Sequence, residues 1–284
     1  MKPVSVIIPT FNRVKYLQRA IYSVLQQENF QGEIIVADDG SQDETAEIVE
    51  NLMKHFPIIY SFADNRGPAA ARNRGVALAN FDTIAFLDSD DHWRPRKLAR
   101  QLEAMEKSSH FVISHTCEKW LRRGKHLNQK KIHKPQHGNI FHYCLPLCAV
   151  GMSTVIMQKD IFFSFGGFDT DLPCCEDYEF WLRVSSKHDF LLVNDDLTIK
   201  EGGREDQLSY KYRMGMDKFR IYALEKLLSA GTLTAAQVDR TLVELKRKCR
   251  IYGNGCIKHG REDEGHRYLS IPDKYKAIET YAKE

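Results

Sequence analysis

Strand-like and helix-like segments alternate four times between residues 4 and 87, and this alternation restricts the folds that the chain can adopt. The strand-like segments are nearly continuous apolar runs, as in the buried strands of a parallel sheet, and occupy residues 4–8, 33–37, 58–62 and 83–87. Apolar residues at helical spacing predict helices over residues 14–27, around 48–52 and over 69–78. We therefore predict an α/β fold with a doubly wound, mostly parallel sheet and a functional site beyond the carboxyl ends of its strands.

The pattern is less regular after residue 90. It predicts a helix near 97–107, an amphipathic helix from Cys175, and strands near 111–114, 152–157, 190–193 and 197–199. From about residue 205 the pattern is helical, notably over 216–228 and 235–252. We predict an α/β domain over residues 1–204 and a helical region over 205–284. These helices either cover the domain or form a homodimer contact, and periodicity does not distinguish the two arrangements.

Charge and cysteine content restrict the class of protein. A net charge of +3 gives no indication of nucleic acid as a partner. No apolar run reaches the ~18–20 residues that span a bilayer, and the chain enters its first strand almost at once, so we expect neither a membrane span nor a cleavable signal. The seven cysteines are irregularly spaced. This indicates reduced thiols in the cytoplasm.

The fourth strand ends at Asp88-Ser89-Asp90-Asp91, where three carboxylates fall within four residues. In an extended chain Asp88 and Asp90 face one way and Asp91 the other. Carboxylates this close repel each other unless a positive charge lies between them. A divalent cation shared with a diphosphate satisfies that need. The alternative is a solvated acidic turn.

Four other segments carry candidate ligand contacts. Asp39 follows the second strand and could accept a hydrogen bond from a nucleotide base, or cap the next helix. Phe11 follows the first strand, where it either stacks on a base or simply packs. Arg72 lies in a helix of small residues that could approach a phosphate, unless it is solvated. Glu176-Asp177 starts a helix, which the macrodipole explains, but an apolar pocket there would suit a general base.

In this order along the chain, these segments resemble family 2 glycosyltransferases of the GT-A fold. The motifs lie in residues 4–12, 38–41, 67–75, 87–91 and 176–177, and the match extends over residues 4 to about 182. The resemblance implies a nucleotide-diphosphate sugar donor, a UDP-sugar being favoured, and inverting transfer to an acceptor hydroxyl. It implies Asp90 as a ligand of Mn2+ or Mg2+, and Asp177 as the general base. It assigns the nucleotide to Pro9, Thr10, Phe11, Asp39, Arg72 and Asp88.

The sequence departs from the family pattern in two places. Many members carry an Arg-x-His segment after the last strands, but residues 199–206 contain no His, which leaves the other metal ligands open. Lys200 or Arg204 could contact the diphosphate instead, and Glu176 and Trp181 are further candidates for acceptor or diphosphate contacts. The Gln-x-x-Arg-Trp signature of processive synthases is missing, so we expect transfer of a single sugar.

Residues 119–134 contain seven Lys or Arg, and no acidic residue occurs from Lys119 to Lys159. The stretch is either a solvated hairpin or loop, or a lid that attracts an anionic acceptor. The acceptor implied by the resemblance is a sugar, a lipid-linked molecule or a protein, and a lipid-linked diphosphate would bring the enzyme to the inner face of the membrane.

We therefore predict a cytoplasmic, metal-assisted glycosyltransferase of cell-surface polysaccharide or glycoconjugate assembly. The main alternative is a non-catalytic nucleotide-sugar binding or scaffold protein. A nucleotidyltransferase or a dinucleotide oxidoreductase is disfavoured, because neither a Gly-rich phosphate loop nor G-x-G-x-x-G follows the first strand.

Overall fold

The computed structural model describes residues 2–276 and shows a mixed α/β fold built around one open sheet. Its strands are β1 (Val4–Thr10), β2 (Gly32–Asp38), β3 (Ile58–Phe62), β4 (Thr83–Phe86), β5 (His92–Trp93), β6 (Ile113–Arg122), β7 (Lys125–Leu127), β8 (Ile156–Gln158) and β9 (Leu191–Gly202). The last residues of the predicted helical region, 277–284, lie outside the described part.

The helices cover both faces of the sheet and then form the C-terminal region. They are α1 (Val14–Leu25), α2 (Thr45–Met53), α3 (Pro68–Ala77), α4 (Lys97–Lys107), α5 (Phe141–Cys144), α6 (Lys159–Ser164), α7 (Glu176–Ser185), α8 (Leu208–Lys211), α9 (Asp217–Ser229), α10 (Ala235–Lys258) and α11 (Glu262–Ser270). Short 3-10 helices occupy Lys131–His133, Met152–Thr154 and Ile271–Tyr275.

The strand order is β3-β2-β1-β4-β8-β6-β9-β5, with β7 paired to β6. The first four of these strands run parallel, in agreement with the alternation in the sequence. β8 then pairs antiparallel with both β4 and β6, and β6 pairs parallel with β9. The carboxyl ends of β1, β2 and β4 therefore lie along one edge of the sheet, where a parallel arrangement places a functional site.

Two strands differ from the sequence expectation. β9 is one strand where two short strands were expected, and β6 continues as far as Arg122. The pairing of β6 with β9 is irregular around Cys117. The polar residues of β9 that suggest a turn lie at this irregularity, and the strand continues through them. Residues 152–157 are also not a single strand, because a 3-10 helix precedes β8.

The C-terminal helices cover the α/β domain. Leu224 of α9 and Leu245 of α10 belong to the same buried apolar cluster as Phe180 of α7. Lys226 of α9 also forms ion pairs with Asp169 (2.6 Å) and with Glu179 of α7 (3.0 Å). The two predicted regions therefore share one hydrophobic core.

Lys97 on α4 is a buried cation beside a second apolar cluster, to which Trp93 and Leu98 belong. Its ammonium lies 3.8 Å from the centroid of the Trp93 ring, and it has no carboxylate partner within residues 2–276. Burial holds the pKa of Lys97 well below its usual value of 10.5. We expect Lys97→Met to raise the free energy of unfolding by about 1–2 kcal/mol at neutral pH, because the variant removes a buried charge whose partners are the Trp93 ring and the Val155 carbonyl (3.4 Å) and not a carboxylate. Urea unfolding measures the change.

The pH dependence of unfolding provides the check on Lys97. Because its folded-state pKa is lowered, the unfolded chain binds more protons between the two pKa values, and wild-type stability rises with pH up to about 10.5. The gain from Lys97→Met should therefore shrink as the pH approaches 10.5. Lys107→Met, at an exposed position of the same helix, should show no comparable gain. A gain that stays constant with pH would contradict this interpretation.

Candidate active site

A cavity of about 860 Å3 opens beyond the carboxyl ends of β1, β2 and β4. Most of the candidate residues predicted from the sequence line it, namely Pro9, Thr10, Phe11, Asp39, Arg72, Asp88, Asp90, Glu176, Asp177 and Lys200. Arg204 reaches the same place through its contact with Asp90. The structure thus brings together segments that are far apart in the sequence.

One side of the cavity combines an exposed aromatic ring with a buried hydroxyl. Phe11, just after β1, is 45% exposed, so its ring is open to a planar ligand. Thr10 is buried beside it, and its hydroxyl oxygen has no hydrogen-bond partner within the described residues. An unpaired buried hydroxyl is costly unless a ligand or water satisfies it. This side can therefore accept a group with a flat face and a polar edge.

Asp39 has a structural task on the same side. Its two carboxylate oxygens accept hydrogen bonds from the backbone amides of Arg66 (2.9 Å) and Gly67 (2.8 Å). Burial raises the pKa of Asp39. Asp39 therefore does not cap the helix that follows it in the chain. It fixes the loop before α3, where Gly67 has a φ of 91°. A nucleotide base could therefore donate only to the lone pairs of the Asp39 carboxylate that these two amides leave free.

Arg72 is buried and connects three of the sequence motifs. Its guanidinium donates to Asp88 Oδ1 (2.7 Å) and to Glu176 Oε1 (2.5 Å), and it lies 5.7 Å from the centroid of the Phe168 ring. Burial alone would lower the pKa of Arg72, but the charges of Asp88 and Glu176 outweigh it and raise that pKa. Burial of Asp88 is likewise outweighed by the charge of Arg72, which holds the pKa of Asp88 low. The solvated alternative for Arg72 is therefore wrong.

The acidic segment is a turn, not an extended strand end. The amide of Asp91 donates to the carbonyl of Asp88 (2.9 Å). The Asp91 carboxylate accepts from Ser153 Oγ (2.7 Å) and from the amide of Glu201 on β9 (3.1 Å). Burial and the charge of Asp90 raise the pKa of Asp91. Asp91 thus fixes the turn to its neighbours, and Asp88, Asp90 and Asp91 all line the cavity.

Asp90 is surrounded by donors. Its Oδ2 accepts from Arg13 Nη1 (3.1 Å), Gln207 Nε2 (3.0 Å) and Arg204 Nη2. Its Oδ1 accepts no hydrogen bond from the described residues, and the same holds for Oδ2 of Asp88. Residues 2–276 contain no group of three or more His, Cys, Asp or Glu side chains that could hold a metal ion. These carboxylates therefore fit a divalent ion only if a ligand such as a diphosphate supplies the other oxygens.

Asp177 lines the same cavity from the first turn of α7. Its Oδ1 accepts from the amide of Tyr178 (2.7 Å), and its Oδ2 accepts from the Cys148 thiol (3.2 Å). Burial raises the pKa of its neighbour Glu176, which pairs with Arg72. Two adjacent carboxylates thus have different tasks, since Glu176 is held in an ion pair and Asp177 keeps a lone pair for a ligand.

Of the two remaining candidates, Lys200 lies in the cavity wall and Trp181 lies in the core. Lys200, on β9, lines the cavity, and the charge of Glu118 outweighs burial and raises the pKa of Lys200. Trp181 lies one helical turn after Asp177 on α7 and is fully buried against Phe180 and Phe190. Trp181 therefore belongs to the core and is not among the residues that line the cavity.

The structure adds residues that the sequence did not single out. Arg13, Cys148 and Gln207 all contact a candidate carboxylate. Arg13 follows the motif after β1, so its position beyond a strand end was a usable signal. Cys148 and Gln207 gave none, because their contacts with Asp177 and Asp90 span 29 and 117 residues of the sequence.

Comparison with known families places this cavity in context. The model of glycosyl transferase family 2 matches residues 5–161, which is more than half of the chain. The match includes the acidic turn, Asp39 and Arg72.

Individual relatives carry related names. An uncharacterized glycosyltransferase of Rickettsia felis is 35% identical over 226 residues, covering 78% of this chain. The match spans only 37% of that relative's own length. The Escherichia coli protein WfaP, a UDP-Glc:alpha-D-GlcNAc-diphosphoundecaprenol beta-1,3-glucosyltransferase, is 32% identical over 192 residues, which cover 66% of this chain and 72% of that protein.

Among solved structures, residues 1–349 of S. aureus TarS in complex with UDP-GlcNAc match with a TM-score of 0.72. The identity is 18%, and the match covers 95% of this chain and 79% of that one. At this identity the likeness concerns the fold, which is the GT-A fold predicted from the sequence.

Proposed function

Since the chain belongs to glycosyl transferase family 2, we propose that it transfers a single sugar from a UDP-sugar to an acceptor hydroxyl, with inversion at the anomeric carbon. The observation that carries this proposal is the arrangement of carboxylates around one cavity. Asp88, Asp90 and Asp177 all line it, so carboxylates from two distant segments of the chain would meet the two bound substrates of a displacement. We place the reaction in cell-surface polysaccharide or glycoconjugate assembly, the setting that the name of the WfaP relative suggests.

The exposed ring of Phe11 and the unpaired hydroxyl of Thr10 suit the flat face and polar edge of a base. Pro9 and Asp39 complete that side of the cavity. A uracil base is favoured because the named donor of WfaP and the ligand in the TarS complex are both UDP-sugars.

The diphosphate would lie between the base side and Asp177. Arg13, Arg72 and Lys200 line this region, so the leaving diphosphate would meet several positive charges. Bound Mn2+ or Mg2+ supplies further positive charge to stabilise the leaving diphosphate. Asp90 and the free oxygen of Asp88 are the groups that would hold it.

Asp177 would act as the general base. The acceptor oxygen attacks the anomeric carbon, the bond from that carbon to the diphosphate oxygen breaks, and the hydroxyl proton passes to the Asp177 carboxylate. Attack from the face opposite the leaving group inverts the anomeric centre. The thiol of Cys148, which donates to Asp177 Oδ2, would hold the carboxylate in place.

We propose a cytoplasmic location. All seven cysteines, which lie within the described residues, are free thiols. Reduced thiols are the normal state of cysteine in that compartment. In the described part of the chain, no helix combines the length and apolarity needed to cross a membrane.

Donor binding is the first test. We expect a UDP-sugar at about 100 times its Kd, with Mn2+, to raise Tm by about 5–10 °C, because a ligand that binds only the folded chain stabilises it. GDP- and dTDP-sugars should give smaller shifts. Asp90→Asn should lose the metal-dependent part of the shift. Differential scanning fluorimetry with and without Mn2+ measures both effects.

Asp206→Asn is the matched control for that test, because Asp206 also pairs with Arg13 (3.0 Å) but is not assigned to the metal. It should keep the metal-dependent shift. A panel without any shift would contradict the proposed donor. If Asp90→Asn and wild type show the same metal-dependent shift, Asp90 is not a metal ligand. That result would leave the proposed donor unaffected.

A further inference from the structure

The segment of residues 119–134, here called the basic hairpin, contains the end of β6, all of β7 and the 3-10 helix Lys131–His133. The sequence left open whether this stretch is a loop or a hairpin, and the pairing of Trp120 with Leu127 shows a hairpin. It contains seven basic residues and no acidic residue: Lys119, Arg122, Arg123, Lys125, Lys130, Lys131 and Lys134.

The positive charges of the basic hairpin are not paired with carboxylates in the part of the chain that the structure describes. All of the basic side chains except that of Lys119, which is half-buried, are exposed. None of the seven forms a salt bridge with a residue that the structure describes. The acidic group nearest in sequence, Glu118, accepts a hydrogen bond from Trp120 Nε1 (2.6 Å) and faces Lys200 instead. The hairpin therefore presents a concentrated, unpaired positive surface.

Apolar side chains lie among these charges. Leu127 is 39% exposed and Ile132 is 59% exposed, although both are large aliphatic residues. Trp120, in contrast, packs on the His133 ring with the centroids 5.0 Å apart, so it is not free to stack on a base. Cations with intervening aliphatic side chains are the pattern of a surface that meets a lipid headgroup layer.

The basic hairpin also lies next to the candidate active site. Along β9, Lys200 pairs with Trp120 and Gly202 pairs with Arg122. Lys200 itself lines the cavity. The side chain of Arg122 packs closely over Gly203, which leaves no room for a Cβ atom there. A surface that docks on the hairpin would therefore lie beside the cavity.

We propose that the basic hairpin binds the surface of a bilayer containing anionic phospholipids. Its cations attract the phosphate headgroups, and Leu127 and Ile132 enter the interfacial layer. Nucleic acid fits the surface less well, because it would leave these aliphatic side chains exposed and because Trp120 is already packed on His133. The inference does not depend on the proposed transferase activity, and its test uses neither donor nor acceptor.

Vesicle sedimentation tests the proposal with the full chain. We expect binding to vesicles of phosphatidylcholine with about one third phosphatidylglycerol, and little binding to phosphatidylcholine alone. Because the attraction is screened, binding should fall steeply between about 0.1 M and 1 M NaCl. Lys125→Glu/Lys130→Glu/Lys131→Glu should weaken binding by at least about 100-fold, since each basic residue near an anionic surface contributes a factor of about five.

A second triple variant changes the net charge by the same amount at exposed positions far away in the sequence. Lys54→Glu/Arg250→Glu/Lys258→Glu should keep most of the vesicle binding, which separates a local surface from overall charge. Leu127→Gln/Ile132→Gln should weaken binding about tenfold while leaving its salt dependence in place. Circular dichroism confirms that each variant is folded.

Three results would overturn the proposal. The first is equal binding to neutral and anionic vesicles. The second is an equal loss of binding in the two charge-reversal variants. The third is tighter binding of a short DNA duplex than of anionic vesicles, measured by fluorescence anisotropy at the same salt concentration.

Discussion

Asp177→Asn is expected to lower the rate of sugar transfer by about a thousandfold while leaving donor binding close to that of the wild type. The amide keeps the size of the carboxylate but does not accept the proton of the acceptor hydroxyl. The Asp177 side chain makes no contact with the donor-side residues Asp88 and Asp90 within the described structure, so the loss should fall on kcat. Steady-state rates and the thermal shift with the donor measure the two effects separately.

Asp189→Asn is the control for this experiment, because Asp189 is exposed and lies just beyond the other end of α7. It should transfer sugar at the wild-type rate. Turnover within a few-fold of wild type in Asp177→Asn would remove Asp177 as the base. Loss of donor binding together with turnover would instead indicate that Asp177 shapes the donor site.

Arg72→Met should lower the free energy of unfolding by about 3–5 kcal/mol, because it leaves the carboxylates of Asp88 and Glu176 without their buried partner. The Met side chain fills much of the same volume, so lost charge pairing dominates the change. Urea unfolding followed by circular dichroism gives the free energy and its midpoint.

Two further variants locate the cause of that loss. Arg66→Met, at an exposed position just before the same helix, should change stability by less than about 0.5 kcal/mol. Adding Glu176→Gln to Arg72→Met should recover part of the loss, because one uncompensated carboxylate is removed. If Arg72→Met alone is as stable as wild type, the ion pairs do not stabilise the fold.

The sequence predicted the parallel half of the fold and several charged residues that line the cavity, for one physical reason. Buried parallel strands leave a strong periodic signal, and their carboxyl ends must meet at one edge of the sheet. Asp39 after β2 and Asp88 after β4 therefore had to come close together. The position of Glu176 beside them was predicted only from the resemblance to family 2 glycosyltransferases, because α7 lies far along the chain.

The errors arose where contacts between distant segments decide the outcome. The double task of Arg72, which pairs with Asp88 and Glu176, has no local signature. The polar residues in β9 suggest a turn, but irregular pairing with β6 keeps the strand continuous. Trp181 follows the acidic helix start closely in sequence, yet helix geometry and aromatic packing place it in the core.

The shared core of the two predicted regions has a consequence for the size of the cooperative unit. Leu224 and Leu245 bury the same apolar surface as Phe180, and Lys226 forms ion pairs with Glu179 and Asp169. A chain shortened at residue 204 would expose that surface and leave these carboxylates without their cation. We therefore propose that the two predicted regions fold as one cooperative unit, so that substitutions in the C-terminal helices would also affect the helix that carries Asp177.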